Sequence, residues 1–158
     1  MDLSKMDNTE VISLYSDIIK ELKKRNIIRT KNVLGELGEY MTIDCYNKNP
    51  ALPKLQAAPV GTKNVDAISR NGERYTIKST STNVTGIFTG LDFGRDEPPN
   101  KQFFEYVVIC KFDDEYRLLN VYQLDWDSFL KHKSWHSRMK GWNLVITKEL
   151  LKDAIIIY

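Results

Sequence analysis

Asp66, the triplet Thr76-Ile77-Lys78, and Glu36 and Glu39 within Gly35-Glu36-Leu37-Gly38-Glu39-Tyr40 are the residues whose types and spacing suit chemistry on a phosphodiester. A carboxylate supplies hard oxygen donors for a divalent cation, and an ammonium supports charge on a phosphate. An acid, a lysine and a helix glutamate brought together are a recurring set of parts for metal-dependent phosphodiester cleavage. Each residue also has a plainer explanation. Asp66 and Lys78 on adjacent strands are a reasonable cross-strand ion pair, and Glu36 and Glu39 taken alone read as surface carboxylates.

The elements that must position these residues follow from periodicity. Val11, Leu14, Ile18 and Leu22 recur at helical spacing and predict a helix over roughly 9–25, capped by Asn8 or Thr9. Asn32 caps a second helix, in which Val33, Leu34, Leu37, Tyr40, Met41 and Cys45 form an apolar stripe and two glycines allow close packing. From Leu52 the pattern turns strand-like, with Asn71-Gly72 marking a hairpin turn. A two-residue turn would set Asp66 across from Ile77 and mix polar with apolar on each face. A three-residue turn, Arg70-Asn71-Gly72 with Gly72 left-handed, pairs Asp66 with Thr76. It collects Val65, Ala67, Tyr75 and Ile77 on one face and Asp66, Thr76 and Lys78 on the other, so it is the preferred register.

Residues 80–100 read as a long loop. A short helix near Asn100–Phe104 leads into a strand over Tyr106–Phe112. A turn at Asp113-Asp114-Glu115 gives a strand over Arg117–Leu124, then a short helix near Asp127–Lys131. After a basic loop, Leu144–Ile146 and Ala154–Tyr158 read as late strands around a small helix. The order predicts a mixed α/β fold with a central sheet.

The 158 residues fit one domain with a real core. A formal net charge of +2 makes no case for nucleic acid by itself, but the distribution does. Lys20, Lys23, Lys24, Arg25, Arg29 and Lys31 crowd one segment, and Lys131 to Lys140 runs without an acid. Within the second, Lys131, Lys133, Trp135, His136, Arg138 and Lys140 are candidate nucleic-acid contacts, with Trp135 able to stack on a base. The plainer reading is a solvated helix face and a polar loop. Trp126 and Trp142 read as core, and His132 and His136, four apart, as surface residues more than as a metal pair. Cys45 and Cys110 lie in apolar surroundings that suit reduced thiols. With no signal-peptide core and no apolar run of membrane-span length, the expectation is a cytoplasmic protein with no membrane partner.

The order of elements with these residues resembles the PD-(D/E)xK nuclease superfamily, which includes many restriction endonucleases and the archaeal Holliday-junction resolvases. Gly35-x-x-x-Glu39 matches its helix motif, Asp66 its first carboxylate, and Thr76-Ile77-Lys78 its acid-x-Lys triplet. The run Val60-Gly61-Thr62-Lys63-Asn64-Val65-Asp66-Ala67-Ile68 leading into that triplet looks like a bacterial family of restriction-endonuclease-like proteins of unassigned function. The resemblance covers about residues 33–112 and implies a restriction-endonuclease-like α/β fold, a mixed central sheet flanked by helices with an αβββαβ core. A C-terminal extension over about 113–158 completes a single domain, 1–158.

It further implies a DNA endonuclease dependent on Mg²⁺ (or Mn²⁺) and acting as a homodimer, because one such site cuts one strand. Asp66, Glu39 and the Ile77 carbonyl would hold the metal. Lys78 would orient the attacking water and stabilise charge on the phosphate. Thr76 departs from the triplet, where Glu or Asp is usual, and a neutral hydroxyl weakens Mg²⁺ binding. Glu39 is the compensating carboxylate, with Glu36 one turn away as a second and Glu73 a poorer one. The alternative reading is a catalytically degenerate nuclease fold that binds nucleic acid or a protein partner without cutting.

Overall fold

The computed structural model describes residues 1–158. The helices are α1 (Asn8–Lys24), α2 (Val33–Lys48), α3 (Trp126–His132) and α4 (Lys148–Asp153). The strands are β1 (Leu55–Ala57), β2 (Ala67–Ser69), β3 (Arg74–Thr80), β4 (Tyr106–Phe112), β5 (Leu118–Asp125), β6 (Ser134–His136), β7 (Gly141–Asn143) and β8 (Ile155–Ile156). Six strands form a sheet in the order β1-β2-β3-β4-β5-β8, and β6 pairs with β7 alone. β3 and β4 are parallel and the other neighbours antiparallel, so the fold is mixed α/β as expected.

The β2–β3 hairpin has the register chosen for its faces. Ala67 lies opposite Tyr75 and Ile68 opposite Arg74, which continues to Asp66 opposite Thr76. Gly72 closes the three-residue turn at φ +83°, a left-handed position that glycine fills without a Cβ clash. Ala67, Tyr75 and Ile77 then pack with Val108, Cys110 and Phe112 of β4 beneath Tyr46 and Met41 of α2. The opposite face of β4, Val107 and Ile109, packs against Phe104, Phe129, Leu144 and Leu150. Burial on both faces is why β4 reads as a continuous apolar run rather than an alternating one.

Asn32 caps α2 as expected, its Oδ1 accepting from the Gly35 N–H at 3.2 Å. On α1 the cap is Asp7, not Asn8 or Thr9. Asp7 and Glu10 form a reciprocal capping box, and a carboxylate is the stronger acceptor for the first-turn amides. α1 buries none of its residues; Val11 and Ile18 of its apolar stripe are exposed, as are Ile12 and Tyr15, while Leu14 and Leu22 are partly buried. No helix is long and apolar enough to cross a membrane.

Three further expectations are corrected. The helix near Asn100–Phe104, and with it the second helix of an αβββαβ core, is absent, and β3 reaches β4 through a long non-helical connection. Pro98-Pro99 disfavours helix just before it, and Phe103 and Phe104 are instead anchored in the core. Leu144–Ile146 is not a strand, since only Val145 makes a bridge, to Val84. The connection itself lies against this segment, with Thr85 N–H on the Leu144 carbonyl at 2.9 Å and Ile146 N–H on the Asn83 carbonyl at 2.7 Å. The basic segment is not an open loop either, because β6 and β7 pair with Trp135 opposite Trp142. Residues 113–158 supply β5, α3, α4 and β8 to the same sheet and core.

α2 lies hard on β3 at Gly38, where a Cβ would come within 1.8 Å of Ser79 Oγ and 3.3 Å of Cys110 Cβ. Gly→Ala in a helix ordinarily gains up to about 1 kcal/mol. Here Gly38→Ala is expected to destabilise by about 1–3 kcal/mol, as overpacking does. Urea unfolding checks this, and a variant as stable as the parent would show that α2 can lift freely.

Candidate active site

β2 ends its pairing with β3 at Ala67, and Asp66 takes over where the ladder stops. Its backbone stays tied to both neighbours: Asp66 N–H donates to the Tyr75 carbonyl at 2.8 Å, and Ala58 N–H donates to the Asp66 carbonyl at 2.8 Å. The carboxylate replaces the missing strand, Oδ2 accepting from the Ile77 N–H at 2.7 Å. The Thr76 hydroxyl lies at a long 3.4 Å from the same oxygen. Oδ1 takes no hydrogen bond. In a strand the N–H and C=O of one residue point to the same side. The Ile77 carbonyl therefore faces the opening that β2 leaves.

Lys78 follows on the same face as Thr76. Its ammonium donates to the Ile87 carbonyl at 3.1 Å and sits 5.0 Å above the Phe88 ring. Asp66, Thr76 and Lys78 line one cavity of about 390 Å³, whose far wall includes Asn64, Phe88 and Gly90. The 83–94 segment that carries this wall is pinned from behind, Phe88 N–H donating to the Trp142 carbonyl at 2.8 Å. The β6–β7 hairpin therefore stands beside the site.

Charge in this region is strained by desolvation. Burial holds the Lys78 ammonium below its usual range, against the pull of Asp66 and Glu39. Burial pushes the Asp66 carboxyl up, against the Ile77 N–H and Lys78. Burial and then repulsion from Asp66 push Glu39 up to about 7, outweighing Arg29.

Glu39 thus feels Asp66 and Lys78, yet it lines a neighbouring cavity of about 420 Å³ with Arg29 and Tyr40. Its Oε2 is 3.4 Å from an Arg29 guanidinium nitrogen. Glu36 is not a substitute. It is only 7 % exposed and its Oε2 accepts from the Arg29 and Thr30 backbone N–H groups, which fastens the α1–α2 connection to α2. Glu73 sits at the hairpin turn, bonded to Ser69 Oγ at 2.9 Å.

No three His, Cys, Asp or Glu side chains are gathered closely enough to hold a metal ion. The donors that suit one in kind are hard oxygens: Asp66 Oδ1, the Ile77 carbonyl, and Glu39 once it turns from Arg29. Two desolvated, mutually repelling carboxylates are a setting that a cation relieves.

The candidate nucleic-acid contacts divide. Lys131 and His132 both bond Asp153 Oδ2, at 2.7 and 2.6 Å, and clamp α3 to α4. The Lys133 ammonium lies 4.2 Å above the Trp142 ring. Trp135 is half-buried, edge-on to Trp142 at 4.9 Å between ring centroids. His136 Nδ1 accepts from the Met139 N–H at 3.1 Å and shapes the turn, whose exposed tip carries Arg138 and Lys140. His132 and His136 are engaged separately. Trp142 is core, its indole N–H on the Phe93 carbonyl at 3.0 Å, and Trp126 packs edge-on to Phe104.

Sequence reasoning missed Arg29 as the partner of Glu39, since it reads as one more cation in a basic run. It missed Asn64, Phe88 and Gly90 as cavity wall, because loops carry no periodicity. Fold and site together define a mixed α/β protein that presents an Asp–Lys pair at the open end of a β-hairpin. No family model matches this chain, and no curated protein matches it.

Proposed function

We propose that the protein is a divalent-metal-dependent DNA endonuclease of the restriction-endonuclease-like kind, related to the PD-(D/E)xK nucleases and working as a homodimer in the cytoplasm. The observation that carries this reading is the Asp66–Ile77–Lys78 arrangement. Asp66 keeps one carboxylate oxygen unbonded in a cavity that the half-buried Lys78 also lines, and the Ile77 carbonyl faces the gap where β2 stops.

Asp66, the Ile77 carbonyl and Glu39 would hold Mg²⁺ (or Mn²⁺), which when bound lowers the pKa of a coordinated water and offsets phosphate charge. Lys78 keeps one N–H on the Ile87 carbonyl, which aims the ammonium, and its remaining N–H groups can orient water and support charge on the phosphate. Asp66 is held in place by the Ile77 N–H through one oxygen, so the other is free for the cation. The hairpin residues Lys133, Trp135, His136, Arg138 and Lys140 would flank the DNA, with Lys131 committed to Asp153.

Thr76 supports a second reading, a binder that does not cut, because its position carries no second negative charge. Supercoiled, linear and branched DNA incubated with Mg²⁺, with Mn²⁺ and with chelator separates the two. Cleavage that requires the metal supports the endonuclease. Binding without cleavage on every substrate supports the binder. On the endonuclease reading, Thr76→Glu is expected to lower the Mg²⁺ concentration for half-maximal cleavage by about tenfold, through one added hard anionic ligand. An unchanged requirement would place the metal away from Thr76.

A further inference from the structure

The cavity that holds Asp66 and Lys78 adjoins a second, of about 460 Å³, with Lys63, Asn64 and Gly90 lining both. We infer that this second cavity binds a backbone phosphate of the same DNA strand, next to the position that reaches Asp66, and that Lys63 and Lys101 are its cations. The inference rests on the nuclease-site reading for what lies in the first cavity.

Three cationic side chains line the second cavity, and the structure sorts them. Arg74 is neutralised by Glu105, with guanidinium nitrogens at 2.8 and 3.1 Å from the two carboxylate oxygens and a further bond to the Gln102 carbonyl. Lys63 and Lys101 form no ion pair with any carboxylate. Both side chains are exposed at the cavity rim, so their charge is available to an incoming anion. The one acid in the wall, Asp92, has its Oδ2 bonded to Asn100 at 3.1 Å. Against that single carboxylate, two cations without an ion-pair partner leave the concave wall net positive.

The rim is also held in shape. Asn64 is left-handed at φ 60°, and its side-chain N–H donates to the Gly90 carbonyl at 3.3 Å. Gly90 is itself at φ +78°, and a Cβ there would lie 3.1 Å from Asn64 Oδ1. This strut joins the two loops between the cavities and fixes where Lys63 is presented. The Lys101 ammonium rests 4.9 Å above the Phe103 ring, a contact that restrains it at the opposite rim. A strand crossing the strut would meet Lys78 on one side, Lys101 on the other and Lys63 at the crossing.

The test is the salt dependence of duplex binding by the whole protein, followed by fluorescence anisotropy in chelator so that no cutting intervenes. Lys63→Ala/Lys101→Ala is compared with the parent and with Lys148→Ala/Lys152→Ala on α4, all four positions being exposed. Each lost phosphate contact removes about 0.9 from the slope of log affinity against log salt, so the first variant is expected to lose about 1.8 and the α4 variant nothing. An unchanged slope, an equal loss in the α4 variant, or no duplex binding by the parent would overturn the subsite. Cleavage by the parent in Mg²⁺ is scored alongside. A slope loss with no cleavage keeps the subsite and removes the nuclease; cleavage with an unchanged slope does the reverse.

Discussion

On the endonuclease reading, Asp66→Ala and Lys78→Ala are each expected to reduce metal-supported DNA cleavage by at least about 10³-fold, the scale seen when a preorganised charged group is removed from a reacting centre. Asp66 is the only carboxylate in the cavity and the only one with an oxygen left open. Lys78 is the only ammonium aimed there by a backbone carbonyl. Alanine at 66 also frees the Ile77 N–H, and alanine at 78 frees the Ile87 carbonyl, so folding must be separated from chemistry. Asp66→Asn does this, because its amide oxygen still accepts from Ile77 while the negative charge is gone. It should melt at or above the parent's temperature at neutral pH, since burial disfavours the Asp66 charge, and lose cleavage. Cutting within tenfold of the parent by either alanine variant, under matched Mg²⁺, would remove these residues from the mechanism.

Glu39→Gln should raise stability above pH 7 and, on the endonuclease reading, end cleavage. The carboxyl titrates near 7 in the folded protein against an ordinary 4.5, with burial the largest cause and Asp66 the next. The folded state therefore binds the extra proton more tightly than the unfolded chain does. Stability from that proton is complete below pH 4.5 and is lost as pH rises through 7. The separation between 4.5 and about 7 corresponds to a ceiling of about 3 kcal/mol. Partial exposure brings the expected gain to about 2 kcal/mol, or roughly 5 °C in melting temperature for a chain of this size. Gln cannot ionise, so it avoids the penalty. At pH 4.5 or below the variant and parent should melt together. A variant less stable than the parent at pH 8 would mean that the Arg29 pair outweighs desolvation and that Glu39 is a structural anchor.

The hairpin was legible because its two faces differ so sharply. Only one register buries Ala67, Tyr75 and Ile77 together, and that register sets Asp66 against Thr76. The Asn32 cap and α2 were legible for similar local reasons. The partners of Glu39 were not. Gly35-x-x-x-Glu39 put the carboxylate on the correct helix, but its contact with Arg29 depends on how the α1–α2 connection folds back, which Glu36 enforces through two backbone amides. No local pattern reports a side chain bonded to a distant backbone. The basic segment failed for a related reason. Lys and Arg mark exposure, but the pairing that makes it a hairpin comes from Trp135 against Trp142, and Trp142 is held by Phe93 and Phe88 from a connection that has no periodicity.

The chain order of the site has a consequence for biosynthesis. Asp66 and Lys78 leave the ribosome early, but the wall that closes their cavity, Phe88 to Gly90, is secured by backbone bonding to Trp142 and by packing on Phe129. β3 must also wait for β4, its parallel neighbour, across the long connection. Such non-local pairings form late, after the intervening chain has been ordered. A nascent chain that ends before β7 therefore carries the carboxylate and the lysine without the pocket. The pocket around these two side chains is therefore assembled only after β7 has been synthesised.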